Sequence, residues 1–371
     1  MVKSPAHSLS GKSMDLLSRL LLLPQDGVFS SSLEVEELRL DVLSIDVDSF
    51  HNLASLARSN HVIVRALEVF VRIADEDNDD MRADWARSAL AAERSRITVA
   101  LSFLEDICAT FEYEKHDVTV IKSLDHWPDL GSDLDLYTDA RRETVCRMMK
   151  RHFNAEIASR SWGDRLANKW NFVIPGLPES VEIHMGRLGQ TGEQVEMASQ
   201  LARRSRRVVI GKQVFVVASA TDRLMISTLQ RMYRHFYFRL CDIVDSAELV
   251  NGGAIDFMDL CSSATRAGIW EGVATYLAIV SDYVAQYSGS ALNLPQFVRD
   301  AARFGGDEVY FAREFLRVPI VPQAARLYRA QLADLMRKRE IQNGARLSLL
   351  PWLATAALVG QRITGSDKGI W

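Results

Sequence analysis

The sequence of 371 residues has few cysteines, and the four that it has lie far apart. Cys108, Cys146, Cys241 and Cys261 form no CxxC pair and no regular spacing. Disulfide-stabilised secreted domains and cysteine-based zinc sites usually show such patterns. We therefore expect reduced thiols in a cytoplasmic protein, and neither disulfides nor a zinc site.

Long hydrophobic runs are also missing. The apolar segment "LLSRLLLLP" (16–24) is interrupted by Arg19 and preceded by Asp15, which makes it a poor signal peptide. The segment "LSLLPWLATAALVG" (347–360) is short and is broken by Pro351. A membrane span needs roughly 18–20 predominantly apolar residues. We therefore expect no secretion and no membrane insertion, and a cytoplasmic location.

Neither sign of charge is in large excess, since the net charge is only −4. A balance of this kind gives no general attraction to nucleic acid or to anionic membranes. The basic cluster "ARRSRR" (202–207) is the local exception. It either ends a helix, where cations suit the helix dipole, or forms a small nucleic-acid contact. Nucleic acid is thus a possible partner, but not the favoured one.

Three regions follow one another along the chain, which contains neither repeats nor low-complexity tracts. Apolar residues recur at helical spacing in 47–74, and good helix formers fill 83–111. Shorter β-branched segments and alternating patterns then dominate. We predict an α+β protein with a helical region over 1–110, a small mixed-sheet α/β core over 111–220 and a helical region over 221–371.

Five segments of the predicted core have the character of strands, and the last of them resembles a hairpin that turns at Gly211-Lys212. In order, the strand segments are "DVTVIKSL" (117–124), "SDLDLYT" (132–138), "NKWNFVIPG" (168–176), "SVEIHMGR" (180–187) and "RVVIGKQVFVVAS" (207–219).

Carboxylates share one face of the second of these strands. Because side chains alternate along a strand, Asp133 and Asp135 point away from the buried Leu134. In "VEIHM" the same alternation puts Glu182 and His184 on one face. Like charges on one strand face repel each other unless a cation lies between them, and Mg²⁺ is a usual solution. If these two strands are neighbours in one sheet, Asp133, Asp135 and Glu182 converge. Such a three-carboxylate site could hold one or two metal ions for phosphoryl-type transfer.

A candidate phosphate-binding turn precedes the Asp-x-Asp strand. The first strand ends in Lys122-Ser123, and nine residues separate Ser123 from Asp133. A strand that ends in a small residue and leads into a short turn can offer backbone N–H groups to a phosphate. Lys122 would add positive charge, although an ordinary solvated strand-end lysine is an equally good interpretation.

Together these segments resemble the nucleotidyltransferase superfamily of DNA polymerase β. The chain is most similar to its bacterial branch called nucleotidyltransferase family 5, over roughly residues 50–295. The small residue after the strand-end lysine is Ser123, where the family pattern has glycine. The matching positions are Lys122, "SDLDL" (132–136), "EIH" (182–184), Arg239 and Asp242.

This resemblance implies Mg²⁺-dependent transfer of a nucleotide monophosphate from an NTP such as ATP to a hydroxyl or similar nucleophile, with release of pyrophosphate. Asp133, Asp135 and Glu182 would be the catalytic residues and would bind one or two Mg²⁺ ions, which Mn²⁺ can replace. Glu182 would either complete a metal site or accept the proton of the acceptor. The residues implied in nucleotide and phosphate binding are Lys122, Ser123, Ser132, His184 and Arg239.

Several alternatives remain open from the sequence. His184 is as often a structural histidine as a ligand of this kind. The segment 229–245 reads as one helix with Arg231, Arg234, His235, Arg239 and Asp242 on one face. That face is either a solvated basic surface with an Arg239–Asp242 ion pair, or a surface that reaches nucleotide phosphates.

The rival functions are a non-catalytic nucleotide-binding or regulatory module and a toxin-like enzyme that modifies RNA or protein. The sequence names neither the base nor the acceptor, which is a small molecule, a peptide or a macromolecule. It gives no oligomeric state.

Overall fold

Five helices of the N-terminal part surround a common core. The computed structural model describes residues 9–23, 33–312, 314–352 and 356. The rest of the predicted end regions, including part of the segment 347–360, lies outside the described residues. The helices are α1 (Leu9–Leu22), α2 (Leu33–Ser44), α3 (Val47–Ser59), α4 (Ile63–Glu76) and α5 (Asp80–Tyr113).

The helical prediction for 47–74 is confirmed, but the segment forms two helices and not one. The break falls between α3 and α4, where His61 has a left-handed backbone with a φ of 53°. Asp46 caps α3 by accepting a hydrogen bond from the backbone N of Ser49, and Asp79 caps α5 in the same way. Such caps satisfy N–H groups that have no partner in the first turn.

A seven-stranded mixed sheet forms the middle of the chain, with strand order β3-β4-β5-β2-β1-β7-β6. β2 is parallel to β5 and β1 is parallel to β7, whereas the other neighbours are antiparallel. The strands are β1 (Thr119–Val120), β2 (Asp133–Thr138), β3 (Glu156–Ile157), β4 (Lys169–Val173), β5 (Ser180–Met185), β6 (Arg206–Ile210) and β7 (Gln213–Val217). The helices of this part are α6 (Arg142–Phe153), α7 (Trp162–Leu166) and α8 (Val195–Arg204).

The predicted strands and the hairpin are present, but the first strand is much shorter than predicted. β1 contains only Thr119 and Val120, because Lys122 takes a left-handed backbone with a φ of 67° and turns the chain out of the sheet. The alternation in β2 and β5 has the predicted consequence. Leu134 and Val181 are fully buried. The carboxylates of these strands therefore face away from that core.

The C-terminal part is mainly helical, and the expectation that it is helical throughout is wrong. A second sheet of three short strands is present in it, in the order β8-β10-β9. The strands are β8 (Tyr237–Phe238), β9 (Tyr310–Ala312) and β10 (Phe315–Arg317). The helices are α9 (Ala220–Gln230), α10 (Leu240–Asn251), α11 (Phe257–Arg266), α12 (Trp270–Ser288), α13 (Gln296–Ala301), α14 (Ala325–Arg337) and α15 (Ile341–Leu347).

The segment 229–245 is not the single helix that its periodicity predicts. α9 ends at Gln230, a π-helical turn covers Arg231–His235, and Phe236 has a φ of 56°. This left-handed residue breaks the helix, and the aromatic residues after it pair with β10 because they suit a strand.

One of the two interpretations of this segment includes an ion pair between Arg239 and Asp242, and that prediction is wrong. Asp242 accepts a hydrogen bond of 2.7 Å from the backbone N of Arg239. Its ion pair is with Arg231, whose Nε lies 2.7 Å away.

One hydrophobic cluster connects all three parts of the molecule, from Met14 in α1 through the sheet to Leu327 in α14. Helices and a mixed sheet thus share one core, and the chain is an α+β protein. Within the described ranges no helix combines the length and the apolarity needed to cross a bilayer.

Candidate active site

The register between β2 and β5 brings the predicted carboxylates together. The two strands are parallel neighbours, and Asp135 lies directly opposite Glu182. Both side chains and Asp133 line one cavity of about 180 Å³. The prediction that the three carboxylates lie on adjacent strands and face one cleft is therefore confirmed. Their role in metal binding stays a prediction.

Two lysines balance the carboxylate pair. The Lys122 ammonium contacts the Asp135 carboxylate closely, and its Nζ lies 3.5 Å from Oε1 of Glu182. Nζ of Lys169 lies 2.9 Å from Oε2 of Glu182 and 2.8 Å from Oδ1 of Asp164. Lys122 therefore lies against both carboxylates, at a position suited to a cation, and its predicted contact with phosphate remains a prediction.

Burial and charge drive the pKa values of the carboxylates apart. Burial raises the pKa of Asp135 well above its ordinary value, because Lys122 compensates only in part and Glu182 adds repulsion. Burial also acts to raise the pKa of Glu182, but Lys122 and Lys169 outweigh it and hold that pKa well below its ordinary value. Burial and the negative charge of Glu182 raise the pKa of Asp133. The site thus repels further negative charge and favours a proton or a metal ion on the aspartates.

Ser123 fixes the strand that carries the aspartates. Its Oγ accepts a hydrogen bond of 2.6 Å from the backbone N of Asp135 and donates one of 3.2 Å to the carbonyl oxygen of Asp133. Both of these hydrogen bonds of the hydroxyl are therefore made with the backbone of β2. Ser132 contacts the Asp133 carboxylate, with Oγ 3.4 Å from Oδ2. Both serines line the cavity.

His184 lies beside the cavity and contacts Glu182. Its Nε2 is 2.9 Å from Oε1 of Glu182. Burial lowers the pKa of His184 to about 4, although the bond to Glu182 opposes the shift, so the ring is neutral at pH 7. One ligand atom each from Asp135, Glu182 and His184 lies within 4.8 Å of the others, which is close enough to share one metal ion. The structure places His184 to orient Glu182, and its predicted contact with phosphate is untested.

The opposite side of the cavity is cationic. Arg234 and His235 belong to the π-helical turn, Arg239 lies between β8 and α10, and all three line the cavity. The Nε atoms of both arginines are buried without a hydrogen-bond partner in the part of the chain that the structure describes. The Arg239 guanidinium lies 5.9 Å from the ring centroid of Tyr237 and 5.8 Å from that of Phe315, so the two rings hold it in place.

This positive charge contributes to the lowered pKa values of two neighbouring histidines. Burial and the nearby arginines lower the pKa of His235 well below its ordinary value. Burial, Arg239 and other cations lower the pKa of His61 in the same direction. Both rings are neutral at pH 7, because a further positive charge is disfavoured there. The side formed by Arg234 and Arg239 is therefore suited to an anion.

Two contributors to this region were not found from the sequence. Lys169 lies opposite His184 in the antiparallel pair of β4 and β5, and the alternation in 168–176 could have placed it there. His61 belongs to the junction between α3 and α4, so no local pattern connects it with the cavity. Of the predicted site residues, the cavity brings together Lys122, Ser123, Ser132, Asp133, Asp135, Glu182 and Arg239.

A scan against models of protein families finds no match for this chain, and a search of curated proteins finds no match either.

Proposed function

We propose that this protein is a Mg²⁺-dependent nucleotidyltransferase. It transfers a nucleotide monophosphate from an NTP to a hydroxyl or similar nucleophile and releases pyrophosphate. One observation carries the proposal: Asp135 and Glu182 are in register on adjacent strands, and Arg234 and Arg239 line the same cavity. A magnesium nucleotide combines a cation with an anionic triphosphate. The carboxylates of this cavity would bind the cation, and its arginines would bind the triphosphate.

The residues present fit Mg²⁺ as a bound ion. Carboxylate oxygens together with substrate phosphates are its preferred ligands, and Asp133, Asp135 and Glu182 supply the former. The low pKa of Glu182 favours its role as an ionised ligand over that of a general base. Bound Mg²⁺ would neutralise phosphate charge and make the acceptor hydroxyl easier to deprotonate.

The protein groups around the ions would position the reactants. The acceptor oxygen bonds to the α-phosphorus, the bond from that phosphorus to the pyrophosphate oxygen breaks, and the acceptor proton passes to a carboxylate. Arg234 and Arg239 bind the β- and γ-phosphates and stabilise the charge that develops on pyrophosphate. Lys122 would have to leave Asp135 for that carboxylate to hold a metal ion, and its ammonium group would then be available to the phosphates.

A second candidate is a nucleotide-binding module without turnover. The position of Lys122 between Asp135 and Glu182 favours it, because an ammonium there competes with a metal ion. Both candidates require NTP binding in the cavity, but only the first requires pyrophosphate release.

The test measures the transfer of the labelled α-phosphate of an NTP to an acceptor. The purified chain is incubated with each α-labelled NTP, Mg²⁺ and an extract as acceptor source, and labelled product and pyrophosphate are measured together. We expect both to appear with wild type and with Asp139→Asn, an exposed aspartate beside β2, and to be lost in Asp135→Asn. Binding without pyrophosphate release would favour the module, and the absence of any NTP binding with Mg²⁺ or Mn²⁺ would exclude both candidates.

A further inference from the structure

A second group of potential metal ligands lies at the edge of the same cavity, which two of its three members, His61 and His126, line. His61, His126 and Cys241 each offer one ligand atom, and the three atoms lie within 4.8 Å of one another. They come from the junction of α3 and α4, from the loop before β2 and from the first turn of α10. Their separation in the sequence explains why no cysteine motif indicates such a site.

The distances suit a small tetrahedral cation. Sγ of Cys241 lies 3.8 Å from Nε2 of His126. A Zn²⁺ ion bonds sulfur at about 2.3 Å and imidazole nitrogen at about 2.0–2.1 Å, which places two tetrahedral ligands about 3.6 Å apart. An ion can therefore enter with small side-chain movements.

His126 is already oriented as a metal ligand. Its Nδ1 contacts the carboxylate of Asp245 closely, so its Nε2 is the nitrogen that faces Cys241. Asp245 in turn accepts a hydrogen bond of 2.7 Å from Nη1 of Arg65. A carboxylate behind a histidine ligand fixes the ring and its tautomer in many metal sites.

The third ligand, His61, has a ring nitrogen that lacks a hydrogen-bond partner among the described residues. This atom is Nδ1, and the side chain that carries it is buried. Its backbone takes the left-handed conformation, which glycine and asparagine adopt at lower cost than most residues. The two imidazole rings of His61 and His126 are 5.6 Å apart between centroids.

Two of the nearby arginines are paired with carboxylates, whereas Arg239 is not in the described part of the chain, so the Cys241 thiolate has to offset part of the charge of a metal ion. Arg65 pairs with Asp129 and Asp245, and Arg231 pairs with Asp242. The fully buried Cys241 supplies the negative charge of a thiolate once its proton is released on metal binding.

We propose that His61, His126 and Cys241 bind one thiophilic divalent cation of the Zn²⁺ class, with the fourth position open to the cavity. Imidazole nitrogen and thiolate sulfur are both ordinary ligands of Zn²⁺, and a set of three protein ligands leaves room for water or a substrate oxygen. This site is separate from the carboxylate site and does not depend on nucleotidyl transfer. A metal ion bound there would contradict the expectation, drawn from cysteine spacing, that the chain has no zinc site.

Cobalt titration tests the proposal directly, because Co²⁺ replaces Zn²⁺ and reports its ligands in the absorption spectrum. The full chain is purified, its metal content is measured, and it is freed of metal by a chelator. We expect one equivalent of Co²⁺ to give a thiolate charge-transfer band and intense tetrahedral d–d bands. One equivalent of Zn²⁺ should abolish both.

Matched variants identify the ligands. Cys241→Ser should lose the charge-transfer band, whereas Cys108→Ser, a change at a cysteine outside the cluster, should keep it. His61→Asn suits the left-handed backbone and should weaken Co²⁺ binding at least about 10-fold, and Asp245→Asn should weaken it about 10–100-fold. Asp135→Asn should leave the spectrum unchanged.

Two results would overturn the proposal. One is a wild-type chain without a charge-transfer band at equimolar Co²⁺. The other is a band that persists in Cys241→Ser. If circular dichroism shows that Cys241→Ser does not fold, His61→Asn decides, and wild-type affinity in that variant would overturn the three-ligand site.

Discussion

The two sides of the central cavity differ in how their charge is balanced. On the carboxylate side, Asp135 and Glu182 are compensated by Lys122 and Lys169, so this side is close to neutral without a ligand. On the arginine side, Arg239 is held by aromatic rings and forms no ion pair within the part of the chain that the structure describes. We therefore expect the carboxylates to exchange Lys122 for a metal ion, and the arginines to bind an anion from outside.

The largest expected effect comes from the carboxylate side. Asp135→Asn removes a proposed metal ligand and should lower Mg²⁺-dependent transfer by about 100-fold or more, comparable to the loss of a group that stabilises developing charge. Initial rates of pyrophosphate release at saturating NTP measure it. Asp139→Asn is the control, and equal rates for the two variants would remove Asp135 from the site.

A substitution on the arginine side should weaken the affinity for NTP. Arg239→Gln keeps the polar character of the side chain but removes its charge, and it should weaken NTP binding about 10–100-fold, the range expected for charge-assisted hydrogen bonds. Calorimetric titration measures the dissociation constant. Arg203→Gln, at an exposed arginine of α8, serves as the control. Unchanged affinity in Arg239→Gln would mean that the arginine side does not hold the phosphates.

The framework of the carboxylate side depends on Ser123. Ser123→Ala leaves the buried N–H of Asp135 without its acceptor and should lower the free energy of unfolding by about 1–3 kcal/mol. Urea denaturation measures the change. Ser199→Ala, at an exposed helix position, should alter it by less than about 0.5 kcal/mol. A Ser123→Ala chain as stable as wild type would show that this hydroxyl does not support β2.

The smallest effect concerns Asp133 and its pH dependence. Its pKa is raised in the folded state by burial and by Glu182, so its ionised form destabilises the fold. This cost is present above the folded pKa and disappears as the pH falls towards the ordinary value of about 3.9. Asp133→Asn should therefore melt slightly higher than wild type at pH 7 and at the same temperature at low pH. A lower melting temperature at pH 7 would indicate a structural role for the carboxylate.

The difference between the two sides also explains which features the sequence could predict. Side chains alternate on a strand by geometry, so the faces of β2 and β5 and the convergence of Asp135 on Glu182 could be predicted. The arginine side depends on Phe236, a single left-handed residue that breaks a helical pattern, and periodicity does not reveal it. His61 reaches the cavity through the packing of α3 and α4 on the core, which no local pattern specifies.

The central claim is that one cavity binds a metal ion and a triphosphate together. Calorimetric titration of each NTP into wild type, with and without Mg²⁺, tests it most directly. We expect at least one NTP to bind with Mg²⁺ and to bind much more weakly without it. That binding should be weakened in both Asp135→Asn and Arg239→Gln and kept in Asp139→Asn. Binding that is independent of Mg²⁺ and unchanged in the first two variants, or no binding at all, would contradict the account.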